Sequence, residues 1–314
     1  MKMSHEARFL KYRDDTVITR SVQYAKWTLP QLMADLSMVA SAGTRLQVER
    51  DYQDIGALLV NNLSSKLASL LFPSSRPFFK AEPSKALREQ AAAKGIKDSE
   101  LNSNLARIEQ DACQQLFVNA SYNQLVLALK HLIVTGNTLL FRDPIRKRSV
   151  AYGLESFSMR RGGSGEPLDT VLREYTPFDA LPLKVQVALR MQNRSKYNNP
   201  DSPPVVAIYT RIQRKQGVAG VYFEVTQEAD TVPVGTTGRY PEHLCPWQPI
   251  AWSLIAGEHY GRGLVEDYAG GFAKLSDTSH ALTLYEIETL KVVNLVQPGM
   301  GADVDELANA ETGE

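Results

Sequence analysis

Gly257-Glu258-His259-Tyr260-Gly261-Arg262-Gly263 runs directly into Leu264-Val265-Glu266-Asp267-Tyr268, and the helical pattern that begins there continues to Val296. No proline falls between Trp252 and Pro298, and Gly271 is the last glycine before the pattern ends. An uninterrupted helix over 264–296 would rise roughly 50 Å at about 1.5 Å per residue. The usual globular helix has about 11–12 residues. A compact enzyme domain rarely needs such a rod, whereas an assembly that spans a wall or lines a tube does. Gly257, Gly261 and Gly263 give the preceding loop freedom for tight backbone turns. Glu258 and Arg262 are placed to pair within one chain or between two.

The rod has its own charge pattern. Glu266, Asp267, Asp277, Glu286 and Glu288 stand against a single Lys274 before Lys291. Val265, Tyr268, Phe272, Leu275, Leu282, Tyr285 and Val293 supply apolar contacts at helical spacing, so the expectation is one packed side and a negative face toward water. If many copies formed a ring, these acids would be candidates to line its lumen, where they would repel nucleic-acid phosphates.

Upstream, residues 6–72 read as helical, with Thr28 capping a start at Leu29-Pro30. Ile55, Leu59, Leu63, Leu67 and Leu70 define an expected buried face on a helix that Pro73 and Pro77 end, with Phe78-Phe79 opening an extended stretch. Residues 84–141 are helical again, through a stripe of Leu101, Leu105, Ile108, Ala112 and Leu116 and a second of Leu125, Leu129, Leu132 and Ile133. Gly136-Asn137 interrupts, and Thr138-Leu139-Leu140-Phe141 leaves as a strand. From 149 to 240 short alternating runs lie between turns such as Gly162-Gly163-Ser164-Gly165 and Gly217-Val218-Ala219-Gly220, a pattern of antiparallel hairpins with a short helix over 184–192. Residues 240–255 read as extended and packed. The fold class is therefore α+β.

With 43% hydrophobic and 22% charged residues the chain can bury a core. Its 35 basic and 35 acidic residues balance, which argues against coating nucleic acid through bulk charge. Cys113 and Cys245 do not make a disulfide framework, so a reducing compartment is expected. The charged start has no apolar leader core, and no run of 18 apolar residues exists to span a membrane. No GxxxxGK[ST] pattern occurs, and Gly162–Gly165 sits between strands and not before a helix. His5, His131, His243, His259 and His280 lack metal-ligand spacing, so no metal and no cofactor are expected. Arg142, Arg146, Lys147 and Arg148 are weak candidates for phosphate contact, and Arg190, Arg194, Lys196, Arg211, Arg214 and Lys215 form a second basic group. Neither is interleaved with aromatics, and a solvated face is the simpler reading. A nuclease acting there would need a carboxylate cluster that no spacing supplies. The expectation is a non-enzyme.

The loop and helix start, through Leu264-Val265-Glu266-Asp267-Tyr268-Ala269-Gly270, Leu275-Ser276-Asp277 and Leu284-Tyr285-Glu286, resemble the portal, or head-to-tail connector, proteins of short-tailed bacteriophages. Ala25-Lys26-Trp27-Thr28-Leu29-Pro30, residues 56–72 and His131-Leu132-Ile133-Val134-Thr135-Gly136-Asn137-Thr138-Leu139-Leu140 fit the same family in the same order. The resemblance implies a portal fold in a ring, typically a dodecamer, at one capsid vertex of a virion assembled in the bacterial cytoplasm. Double-stranded DNA is packaged and ejected through that ring. The implied partners are the terminase large subunit, a tail adaptor, and the major capsid and scaffolding proteins. It also implies a wing domain over 1–260 (helical over 1–141, mixed over 142–260), a stem helix over 261–296 with the loop 257–263 at its junction, and the start of a clip over 297–314. Family members continue with the rest of the clip, a returning stem helix and a crown, so the expectation is that this chain is truncated before the clip is complete. An adaptor or scaffold-type structural protein without a DNA channel is the alternative, and it would not need so long a helix.

Overall fold

A computed structural model describes residues 3–37, 48–197, 204–218 and 220–289. Its elements are helices followed by antiparallel sheets, an α+β arrangement. Helices α1 (His5–Tyr12) and α2 (Asp15–Trp27) are each started by a side chain, Ser4 accepting from the Ala7 amide and Asp14 from those of Thr16 and Val17. A 3-10 turn, Pro30–Met33, follows. Thr28 does not cap that turn. Its hydroxyl donates to the Tyr24 carbonyl at 2.7 Å and closes α2 instead, because Pro30 already supplies the fixed φ of the next start.

Helix α3 (Ile55–Leu71) corrects one expectation. Its buried residues are Gly56, Val60, Ser64 and Ala68, while Leu59 is 53% and Leu70 76% exposed. The helix lies close to its neighbours through small residues, since the backbone carbonyl of Trp27 and the ring of Phe272 approach Gly56 too nearly for a larger side chain. Of the leucine stripe only Leu63 and Leu67 pack against the core. Phe78 and Phe79 lie in a bend and not in a strand, packed on Phe72 and on each other.

Helices α4 (Lys85–Ala93) and α5 (Asp98–Val118) bury little of themselves, Ala91 on one and Cys113 on the other. Helix α6 (Ser121–Thr135) is the opposite, with eight buried residues including Leu129, Leu132, Ile133 and Val134. It ends at Gly136, whose φ of +74° is left-handed and closes the helix with its amide donating to the Leu132 carbonyl.

Strand β1 (Asn137–Arg142) leaves that break and lies between β2 (Ser149–Tyr152) and, much later in sequence, β8 (Trp247–Ala251). The second sheet is a meander of β3 (Phe157–Arg161), β4 (Pro167–Pro177), β5 (Val205–Gly217), β6 (Gly220–Ala229) and β7 (Val232–Pro241), all antiparallel. Both glycine-rich turns join hairpins, β3–β4 and β5–β6. Helix α7 (Leu183–Gln192) and the short α8 (Arg194–Tyr197) cover one end of this sheet through Val185, Leu189 and Tyr197.

The main core joins the early helices to both sheets. Ala25, Leu29, Leu32 and Met33 meet Val60, Ile133, Val134 and Leu139, then Leu154, Phe157, Met159 and Leu172, and finally Tyr260 and Val265. The last two residues come from the loop 257–263 and from the helix that follows it. The helix there is not continuous: α9 (Leu264–Asp267) stops at Tyr268, and α10 (Ala269–Thr289) starts afresh. Tyr268 has φ −107° and ψ 13°, and its amide bonds the Val265 carbonyl three residues back, a tight 3-10-like closure. Gly270 and Gly271 follow at once and lower the cost of redirecting the chain. The rest of the expected rod, 290–296, and the 297–314 segment lie outside the described residues. No described helix is long and apolar enough to cross a membrane.

Candidate functional site: the loop junction and the helix it launches

The loop 257–263 is fastened to the α6–β1 break. Asn137, fully buried, accepts from the Gly261 amide at 2.7 Å and donates to the Gly261 carbonyl at 2.8 Å, as a second strand would. The same amide group also donates to the Thr135 carbonyl at 2.8 Å. Gly136 accepts from the Trp252 amide, and Arg262 donates its amide to Ser253, so the loop doubles back alongside the end of β8. These bonds draw the backbones of the loop and the α6–β1 break together and leave Gly261 and Gly263 no room for a side chain. A Cβ on Gly261 would lie 2.7 Å from the Ala251 Cβ and 2.9 Å from the Ser253 carbonyl oxygen. On Gly263 it would lie 2.7 Å from the Val134 carbonyl oxygen and 2.8 Å from that of Ile133. Only Gly257 has a left-handed φ, +90°. Sequence reasoning thus picked these glycines for turns, but Gly261 and Gly263 are there for close approach.

Tyr260 is the anchor of the loop. Its ring is in the main core, and its hydroxyl accepts from the Met159 amide at 3.1 Å and donates to the Tyr12 carbonyl at 2.8 Å. Burial pushes its phenol up to about 12. One side chain therefore ties α1, β3 and the loop together. His259 accepts at Nδ1 from the Arg161 amide, and its carbonyl accepts from Arg161 Nε. Glu258 and Arg262 pair within the chain at 2.7 Å on the exposed side. Such an exposed i,i+4 pair contributes little to stability.

Past the junction the environment changes. Helix α10 has no buried residue along its 21 positions. Near its start Phe272 stacks on Trp27, Ser276 donates to Asp51 at 2.6 Å, and His280 stacks on Tyr52 at 4.1 Å. Beyond His280 every described residue is exposed, among them Leu282, Leu284, Tyr285 and Ile287. At about 100° per residue these four point to different sides of the helix. The acids do not share one face either. Asp277 and Glu288 fall within about 20° of each other and Glu286 on the opposite side, so the single negative face expected from the pattern is divided. Glu266, half-buried on α9, faces Tyr24, whose phenol is raised by burial first and by that carboxylate second. Asp267 is exposed.

The basic groups also separate. Arg142, Arg146, Lys147 and Arg148 occupy the exposed β1–β2 turn. In the second group Lys196 pairs with Asp230, Arg214 with Glu242, Lys215 with Glu224 and the buried Arg211 with Asp169. These residues are thereby committed within the chain. Asn137 was missed as a junction residue. Its position beside Gly136 was legible, but its partner Gly261 is 124 residues away.

The contacts define a structural junction, in which polar groups serve the backbone and among the described residues no group of three metal-ligating side chains forms. The family model described as bacteriophage head to tail connecting protein matches residues 2–312, and the chain belongs to that family. It is 44% identical, over its whole length, to the portal protein of Pseudomonas phage phiKMV, of which it spans 60%. It is 29% identical over 95% of its length to the portal protein of Enterobacteria phage SP6 (55% of that chain), and 28% over 94% to the portal protein of Escherichia phage T7 (54% of that chain). The chain thus covers less than two thirds of the length of these relatives.

Proposed function

We propose that this chain acts as a portal subunit: copies form a ring, twelve by the family's habit, at one vertex of the capsid, and double-stranded DNA is packaged and ejected through it. The body up to residue 260 is the wing, 261–296 the stem and 297–314 the start of the clip. The terminase large subunit, a tail adaptor, and the major capsid and scaffolding proteins are its partners, and the motor chemistry belongs to the terminase. The observation that carries this reading is the exposure of α10. A helix with apolar side chains on all sides is stable when neighbours cover it, and burying what remains exposed of each large side chain contributes roughly 1 kcal/mol. Identical helices side by side supply that cover without any new partner.

In such a ring one side of α10 faces the lumen. Asp277 and Glu288 are assigned there, and Glu286 to a neighbouring copy, while Glu266 and Asp267 sit above at the junction. The lumen acids repel phosphates and let a duplex slide. Electron micrographs of the purified protein test the reading: rings with a central hole are expected, and uniformly single particles at high concentration would overturn it.

A further inference from the structure

A second feature lies on the sheet side of the molecule. Between α1 and strands β3 to β5 is an open cleft of about 790 Å³, which His259 and Tyr260 of the junction loop border and no residue of α10 lines. Its floor is the buried pair Arg211–Asp169, joined at 2.6 Å, with the Tyr12 hydroxyl donating to the same carboxylate at 3.1 Å. That carboxylate is fully used. Asp14 accepts the amides that start α2 and keeps its charge, and Asp15 lies 3.6 Å from Arg13, which also holds Glu155, so the cleft's five lining cations (Arg8, Lys11, Arg13, Arg160 and Arg211) exceed its three lining carboxylates (Asp14, Asp15 and Asp169) by two. The walls carry Arg8 and Lys11 from α1 and Arg160 from β3, and among the described residues none of these three has a carboxylate within ion-pair distance. Arg160 lies over the Tyr12 ring at 6.0 Å, and the buried Arg8 Nε has no hydrogen-bond partner. The neighbouring cations on the same sheet, Arg211, Arg214 and Lys215, are each neutralised.

Three cations without an ion-pair partner among the described residues, in a polar, aromatic-edged cleft of net positive charge, make a site for an oxyanion ligand with repeated charges. We infer that this cleft grips the phosphodiester backbone of DNA at a place distinct from the pore, holding it where the lumen lets it slide. The ligand's identity as DNA rests on the portal reading, and the cleft's anion chemistry does not. Arg8 and Arg160 offer forked donors to phosphate oxygens and Lys11 a point charge. The contacts are to backbone, so binding carries no sequence preference and weakens steeply with salt.

The test uses closed circular duplex DNA, which cannot thread a closed ring, with binding read by filter retention over a salt series. The intact protein is expected to bind it. The variant Arg8→Ala/Lys11→Ala/Arg160→Ala is expected to bind at least about tenfold more weakly, with the slope of log K against log salt reduced by roughly 2–3. Lys11→Glu, at an exposed position in the last turn of α1, should lower affinity in the same direction at only a small cost to that helix, and Arg8→Lys should retain most of it. Rings should persist in all variants. If closed circles do not bind the intact protein, or if Arg146→Ala/Lys147→Ala/Arg148→Ala carries the loss while the cleft variants bind normally, the proposal is overturned. Loss of rings with DNA binding unchanged would likewise overturn it and mark the cleft as a seat for an acidic segment of a neighbouring copy. Rings without a central hole in the intact protein would sink the portal reading on their own, whatever the cleft binds.

Discussion

The loop 257–263 and helix α10 are separated by a few residues in sequence, yet they sit at opposite ends of the burial scale. The loop is bound into the core through Tyr260, Asn137 and backbone contacts that exclude even a methyl group. The helix has no fully buried residue, and beyond His280 every described residue is exposed. Most of a helix's stability in a protein comes from packing one face, and this one also carries Gly270 and Gly271 in its first turn. The junction takes its stability from its own chain, and in the proposed ring the helix would take the rest of its own from neighbouring copies.

Mutations sharpen the contrast. Asn137→Ala strips both hydrogen bonds from Gly261 and one from Thr135 in a place water does not reach. A loss of about 3–5 kcal/mol is expected in urea denaturation. Gly263→Ala forces a Cβ against two backbone carbonyls that cannot swing aside, and about 3 kcal/mol is expected from the same measurement. A value under about 0.5 kcal/mol for either would mean that the junction is not the fixed point described here.

Acid probes the same wall from the other side. His131 is buried on α6 and burial holds it down at about 4, against an ordinary 6.5. The unfolded chain takes up this proton below pH 6.5 and the folded chain does not until about pH 4. Stability contributed by the neutral ring is thus complete above pH 6.5 and falls as pH drops toward 4, by about 3 kcal/mol in all. Tyr260 gives the mirror case: between pH 10 and about 12 the unfolded phenol ionises first, and stability falls as pH rises. In His131→Gln the acid limb of the stability profile should flatten. The smallest effect on the single chain belongs to α10. Leu282→Ser and Tyr285→Ser should change its denaturation by no more than about 0.5 kcal/mol, while sedimentation should show a smaller share of rings.

The elements legible in the sequence were those with local causes. Gly136 ending α6, the glycine turns of the hairpins and the helix start at Gly263 each follow from neighbouring residues. The leucines of α3 misled because periodicity reports an apolar stripe without saying that a glycine, a serine and an alanine on the adjacent face permit a closer approach. At the break beside Tyr268 the sequence carries only a weak local sign, Gly270 and Gly271, which disfavour a helix interior without forbidding it. The second basic group dissolved into ion pairs whose partners lie on other strands, as Arg211 with Asp169, and no spacing along the chain could reveal them. In the same way, the glycines of 257–263 could be recognised, whereas Asn137 facing Gly261 is a product of the fold.

Hydrogen exchange along α10, followed in rings and in dissociated single chains of the same protein, tests the central claim most directly. The amides from Leu282 to Thr289 are expected to exchange quickly in the single chain and to be protected at least about a hundredfold on assembly, while those around Asn137 and Gly261 stay protected in both. Equal protection of α10 in the two states would contradict it.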